Sequence, residues 1–262
     1  ERVDGVFFTG SVNGGLAVQE SIKDKFIPCG LELGGKDPAY VRSDADVNNA
    51  AENLVDGSFF NSGQSCCGIE RIYVHEDVYD NFVQKFVEVT KTYKLGNPLD
   101  KETNLGPMVK TSASDYVRNQ IKEAVNKGAK SLVDESLFPQ SKEGTPYLSP
   151  HVLVDVDHSM AVMKDESFGP VVGIMKVSSD EEAIHLMNDS EYGLTASIWS
   201  QSYDEAKQLS SQIETGTVFL NRCDYLDPGL AWTGVKNTGR GVSLSAYVYD
   251  SVTRLKSIHF KL

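Results

Sequence analysis

The chain has 262 residues, 40% hydrophobic and 24% charged, which excludes a disordered or collagenous polymer and allows one large domain or two smaller ones. Its 25 basic and 37 acidic residues leave a formal charge of −12. Such a surface repels phosphate backbones and anionic headgroups, so neither nucleic acid nor a membrane is an expected partner, and no apolar run reaches the roughly 18 residues of a membrane helix.

The first patterned segment is an apolar strand over 3–8. It runs into Thr9-Gly10-Ser11-Val12-Asn13-Gly14-Gly15 and a helix-compatible stretch through Lys25. One strand and one helix cannot cover both faces of a parallel sheet, so the sequence reads as starting inside a larger one. A short strand over 26–33 is broken by Gly34-Gly35. Asp44-Ala45-Asp46 then opens an amphipathic helix with Val47, Ala50, Ala51, Leu54 and Phe59 on its apolar stripe. A β-type run over 69–74 follows, then a helix over about 77–93 carrying Val78, Phe82, Phe86 and Val89 at helical spacing. A further helix over about 114–127 is stopped by Gly128. Strand-like runs at 130–133, 151–156, 171–177, 196–199 and 217–220 are followed or interleaved by helix-like runs at 179–188 and 203–213. This alternation predicts an α/β fold with a largely parallel sheet. Segment 248–262 reads as one more strand, with Leu255, Ile258 and Phe260 among basic neighbours.

Several segments carry chemistry. The glycine-rich turn from Gly10 to Gly15 lies between a strand and a helix, where backbone N–H groups can cradle a phosphate, although its spacing is not that of Gly-x-Gly-x-x-Gly. Cys66 and Cys67 follow Gly63-Gln64-Ser65 in a turn that opens a helix or a strand. A thiol at a helix N-terminus gains thiolate character, whereas two small residues in a crowded turn are simply well packed. Glu32 ends an apolar strand, either ion-paired or held as a base with a raised pKa. Asp165-Glu166-Ser167-Phe168-Gly169-Pro170 forms an acidic, aromatic, glycine-containing turn whose proline restricts Gly169. The four cysteines include no Cys-x-x-Cys pair, and the five histidines fall on separate segments. A disulfide framework and a zinc site are therefore not expected, and free thiols point to a reducing compartment, the cytoplasm or the mitochondrial matrix.

Taken together, Glu32-Leu33-Gly34-Gly35-Lys36, Gly63-Gln64-Ser65-Cys66 and Glu166-Ser167-Phe168-Gly169-Pro170 resemble, in order and spacing, the aldehyde dehydrogenase superfamily. Phe8-Thr9-Gly10-Ser11 with Gly15, and Asn221 after Val218-Phe219-Leu220, extend the resemblance over nearly the whole chain. It implies an aldehyde dehydrogenase-like catalytic domain, NAD or NADP as cofactor and a small-molecule aldehyde as substrate. Cys66 would be the nucleophile, its own N–H helping to hold the oxyanion, and Glu32 the base that hydrolyses the resulting thioester. Glu166 would hold the nicotinamide ribose and Phe168 the ring, with Leu33 beside it and Gly10, Ser11 and Gly15 at the pyrophosphate. Asn221 and Arg222 would lie in the loop facing the far end of the aldehyde, where Arg222 either meets a carboxylate-bearing substrate or pairs with Asp224 or Asp227.

The sequence departs from the family's pattern in places. Ala231-Trp232-Thr233-Gly234-Val235-Lys236-Asn237-Thr238-Gly239 replaces the usual Pro-Phe-Gly-Gly-x-Lys-x-Ser-Gly, and the ribose-holding glutamine and lysine have no counterpart over 113–118. The family's amino-terminal half, with its oxyanion asparagine and adenosine-ribose lysine, lies outside this sequence, so the chain is expected to be the carboxy-terminal half of a longer enzyme. The expected division is 1–34 as the last part of a cofactor domain, 35–249 as the catalytic domain and 250–262 as an oligomerisation arm of a homodimer or homotetramer. Two rival readings are an acylating enzyme, in which coenzyme A or phosphate takes the thioester, and an inactive fragment or binding protein on the same scaffold. The presence of Glu32 favours water as the acceptor.

Overall fold

A computed structural model describes residues 3–262. The chain begins with β1 (Val6–Thr9), α1 (Val12–Ser21), β2 (Cys29–Glu32), β3 (Asp37–Val41), α2 (Val47–Phe59), β4 (Ile69–His75) and α3 (Tyr79–Thr90). It continues through α4 (Thr111–Asn126), β5 (Lys130–Ser131), β6 (His151–Val154), α5 (Ala161–Lys164), β7 (Val171–Val177) and α6 (Asp180–Asn188). The last elements are β8 (Thr195–Trp199), α7 (Tyr203–Ser210), β9 (Thr217–Leu220), β10 (Gly239–Arg240) and α8 (Val248–Val252).

Seven strands form one sheet in the order β5-β6-β7-β4-β3-β8-β9, parallel throughout except for the antiparallel edge pair β5–β6. A parallel sheet needs both faces covered, and two apolar layers do this. Leu54 and Phe59 of α2 pack with Phe82 and Phe86 of α3 on one face. Val117 and Ile121 of α4, Ile184 of α6 and Leu209 of α7 fill the other. Each fully buried phenylalanine contributes about 1.5–3 kcal/mol. Local signals set the helix ends. Asp46 and Ser179 accept from the Asn49 and Glu182 N–H groups as N-caps, and Gly128 takes φ +112° where α4 stops.

Two expectations need correction. Residues 37–41, left without a strand in the sequence reading, form central strand β3, buried at every position. Pro38 argues against a central strand, but it sits at a register shift between Asp37 and Pro38, where a missing N–H is tolerated. Segment 248–262 is not a strand: a short helix, α8, is followed by residues without regular structure, since no strand among the described residues offers them a ladder. The β1–β2 pair takes β10 as a third, antiparallel strand, and the Leu33 N–H donates to Thr238 O at 2.9 Å. Among the described residues, no helix is long and apolar enough to cross a membrane.

Candidate active site

Cys66 follows a left-handed turn. Asn61, Ser62 and Gly63 adopt φ of 51°, 58° and 70°. For a non-glycine residue such a conformation costs of order 1–3 kcal/mol and persists only where the surroundings fix it. Here Ser62 Oγ donates to Gly106 O at 2.6 Å, Asn61 Nδ2 donates to Gln64 O at 3.0 Å, and the Val109 N–H donates to Gln64 Oε1 at 2.7 Å. Gly63 is obligatory, because a Cβ there would stand 2.2 Å from Gly169 O.

The turn leads into β4 rather than a helix, so no helix dipole acts on Cys66 from the following residues. Its thiol is nonetheless drawn below the ordinary range by a hydrogen bond from Cys67, against burial and the charges of Glu32 and Asp224, which raise it. Cys67 is pushed strongly up by its contact with Cys66, by burial and by Asp224.

Glu32 ends β2, half-buried, and burial raises its carboxyl. Ser243 Oγ donates to Glu32 Oε1. Ser243 is itself fixed by two backbone bonds to Trp232, at 2.7 and 2.8 Å. Gly35 joins this end of β2 to the cysteine turn, since a Cβ at that position would lie 2.3 Å from Cys66 O. Its N–H also donates to Glu166 Oε1 at 2.9 Å. The three motifs named in the sequence therefore meet around one glycine pair. Burial pushes Glu166 up to about 7, partly offset by the Gly35 N–H.

The segment carrying Glu166 and Phe168 is anchored from below. Glu70 accepts from Lys36 Nζ at 2.5 Å and from the Ser167 and Phe168 N–H groups at 2.8 Å each. Phe168 is held at φ +48° and is 40% exposed. Its side chain borders a cleft of about 610 Å³ that also takes in Ser11, Val12, Lys110, Tyr116 and Glu166. Ser11 caps α1 by accepting from the Gly14 N–H at 3.1 Å, and the amides of a first helical turn have no intrahelical acceptor. One end of the cleft thus suits an anion and the other a flat ring beside a carboxylate, which fits a nicotinamide dinucleotide.

The remaining expected residues lie elsewhere. Gly15 and Leu33 pack on each other and line a separate hollow of about 260 Å³. Gly10 lies against the Phe8 ring. Asn221 spends its side chain on Ser200, accepting from the Ser200 N–H at 3.0 Å and donating to Ser200 O at 2.8 Å, which extends the β8–β9 ladder. Arg222 pairs with neither aspartate and stacks on Tyr225, 3.2 Å from the ring centroid. Sequence reasoning missed Glu70, Ser243 and the contact of Asp224 with Cys67. None has a local signal, because each reaches its partner across the fold.

The chain belongs to the aldehyde dehydrogenase family, whose model matches residues 1–258. It is 36% identical over 263 residues to a mitochondrial aldehyde dehydrogenase of Mesocricetus auratus, covering 100% of this chain and 52% of that protein. It superposes on the NAD-dependent aldehyde dehydrogenase from Sinorhizobium meliloti with a TM-score of 0.92 at 30% identity, covering 98% of this chain and 51% of that one. The NADP complex of the NADP-dependent glyceraldehyde-3-phosphate dehydrogenase from Bacillus halodurans C-125 gives a TM-score of 0.87 at 35% identity, covering 96% and 50%. The chain spans about half the length of the curated relatives it matches.

Proposed function

We propose that this chain supplies the catalytic part of an NAD(P)-dependent enzyme that oxidises a small aldehyde to its carboxylic acid. One observation carries the proposal: Cys66, a thiol with eased ionisation, and Glu32, a carboxyl raised by burial, stand close enough for the charge of Glu32 to act on the thiol. The Cys66 thiolate attacks the aldehyde carbon, and the Cys66 N–H stabilises the oxyanion that forms. A bound nicotinamide supplies the acceptor for the hydride lost from that carbon. Cys66 then carries a thioester. Glu32 takes a proton from the water that adds to it, the acid departs and the thiol is restored. Ser243 holds the Glu32 carboxyl in place for this step. Ser11 and the first turn of α1 would meet the pyrophosphate, Glu166 the ribose and Phe168 the ring. Leu255, Ile258 and Phe260, all exposed, support association of copies through the arm 250–262 as a homodimer or homotetramer.

The test is an aldehyde panel with NAD and NADP on the full protein, read by absorbance of the reduced cofactor. In that assay Glu32→Gln gives a first burst and then stalls, because a base is needed only after the thioester has formed. Its steady rate falls by about 10²–10⁴. Normal turnover without a burst would overturn the role of Glu32.

Glu166 adds a pH signature. A carboxyl raised to about 7 keeps its proton until the pH passes that value, and only its ionised form accepts from both ribose hydroxyls. Cofactor affinity measured by calorimetry therefore tightens as pH rises through about 7, and Glu166→Gln flattens the profile. A flat profile for the native protein would contradict this role. The sign for stability is opposite: ionising Glu166 weakens the fold as pH climbs from the ordinary carboxylate range to about 7.

A further inference from the structure

Two thiols stand side by side before β4, and a single nucleophile requires that one of them keep its proton. Cys67 is 4% exposed and packs with Leu194 and Trp232, while Cys66 lies at the margin of that cluster. Cys67 Sγ donates to Asp224 Oδ1 at 2.8 Å. The same oxygen accepts from Ser65 Oγ at 3.1 Å, so one carboxylate ties both flanks of Cys66 to the loop after β9.

We propose that Asp224 is the positioning residue that selects the nucleophile, holding the proton on Cys67 so that the thiolate of the pair forms on Cys66. The Cys67 proton has two acceptors within reach, Asp224 Oδ1 and the Cys66 sulfur, and both arrangements leave it on Cys67. The charged groups facing the pair are Glu32 from β2, Asp37 from β3 and Asp224, all acidic. Glu32 bears on Cys66 and Asp37 on both sulfurs through space, whereas Asp224 bonds directly to the Cys67 sulfur. Burial and these charges push Cys67 up, and the bond from Cys67 brings Cys66 down. Asp224 thus acts on Cys66 through its neighbour. Its charge alone opposes ionisation at both sulfurs, but more strongly at the one it touches.

The inference rests on Cys66 being the nucleophile of the proposed oxidation, but its test uses no aldehyde. The full protein is treated briefly with limiting iodoacetamide over a pH series, and the label is assigned to Cys66 or Cys67 from peptide fragment masses. In the native protein the label falls on Cys66. In Asp224→Asn the share on Cys67 rises by about tenfold or more, the equivalent of one pKa unit, and Asp224→Glu restores the native pattern. Identical labelling in the native and Asp224→Asn proteins, or native labelling first at Cys67, overturns the proposal. A second measurement does not depend on Asp224→Asn folding. In Cys66→Ser with Asp224 intact, Cys67 should titrate by thiolate absorbance well above the ordinary thiol value of about 8.5. An ordinary or depressed titration there also overturns it. Failure of every aldehyde to reduce cofactor would count against the proposed oxidation and leave the labelling result standing.

Discussion

Cys66→Ala abolishes aldehyde oxidation, whereas Cys67→Ala retains much of it. The two residues are adjacent and chemically identical, so the contrast rests on their surroundings. Cys66 is partly exposed at the mouth of the turn and its thiol is eased toward ionisation by the bond from Cys67. Cys67 is buried, bonded to Asp224 and pushed strongly toward the neutral thiol. Only a thiolate attacks a carbonyl at a useful rate, and alanine offers no substitute. Loss of a covalent nucleophile removes the whole route, so a fall of about 10⁴-fold or more is expected in the initial rate of reduced-cofactor formation. Cys67→Ala takes away the bond that eases Cys66, and a decrease of about two- to threefold is in keeping with one lost weak donor. Equal losses in the two variants, or a dead Cys67→Ala with an active Cys66→Ala, would reverse the assignment.

How much of this could be read from the sequence depended on the range of the signal. The bounds of β7 and β9 match the apolar runs at 171–177 and 217–220; for β7 this is because a buried parallel strand is a continuous apolar segment, while β9 is a half-buried edge strand. Asp46, Ser179 and Gly128 marked helix ends, because capping is settled within four residues. Strand β3 was hidden by Pro38, whose tolerance depends on a bulge against β4 that local pattern does not disclose. The tail over 248–262 has strand composition, but a strand is defined by its neighbour, and among the described residues it has none. In the site, Glu32, Cys66 and Glu166 stood out as motifs, and the fold brings their segments together at Gly34-Gly35. Asn221 also stood out, and the fold spends its side chain on Ser200. The supports of the site were invisible in advance. Glu70 lies in a β-type run and looks like a solvated strand position until its partners Lys36 and Ser167 arrive from distant segments.

That support carries the other large expected effect. Glu70→Ala destabilises the full protein and weakens its hold on cofactor at the same time. Lys36 is 1% exposed, and its ammonium sits 2.5 Å from Glu70 Oε2 and 3.1 Å from Ser167 Oγ. Burial, with a lesser push from the Arg71 charge, lowers the Lys36 pKa, and Glu70 is the main group opposing that shift. Removing the carboxylate leaves a buried cation uncompensated, which costs about 3–5 kcal/mol. It also strips the acceptor from the Ser167 and Phe168 N–H groups, which are then free to let Phe168 leave its left-handed conformation. At roughly 2–4 °C per kcal/mol for a chain of this size, the midpoint of thermal unfolding falls by about 6–20 °C. The double variant Lys36→Met/Glu70→Leu separates the two consequences. Replacing both charges by apolar groups of similar volume recovers most of the stability, since the pair as a whole adds little over well-packed hydrophobic side chains. The double variant does not restore an acceptor for the two loop amides, so cofactor affinity measured by calorimetry stays weak. Recovery of both stability and affinity in the double variant would show that Glu70 only neutralises Lys36 and does not hold the Phe168 loop. A Glu70→Ala protein with unchanged midpoint and affinity would show that it does neither.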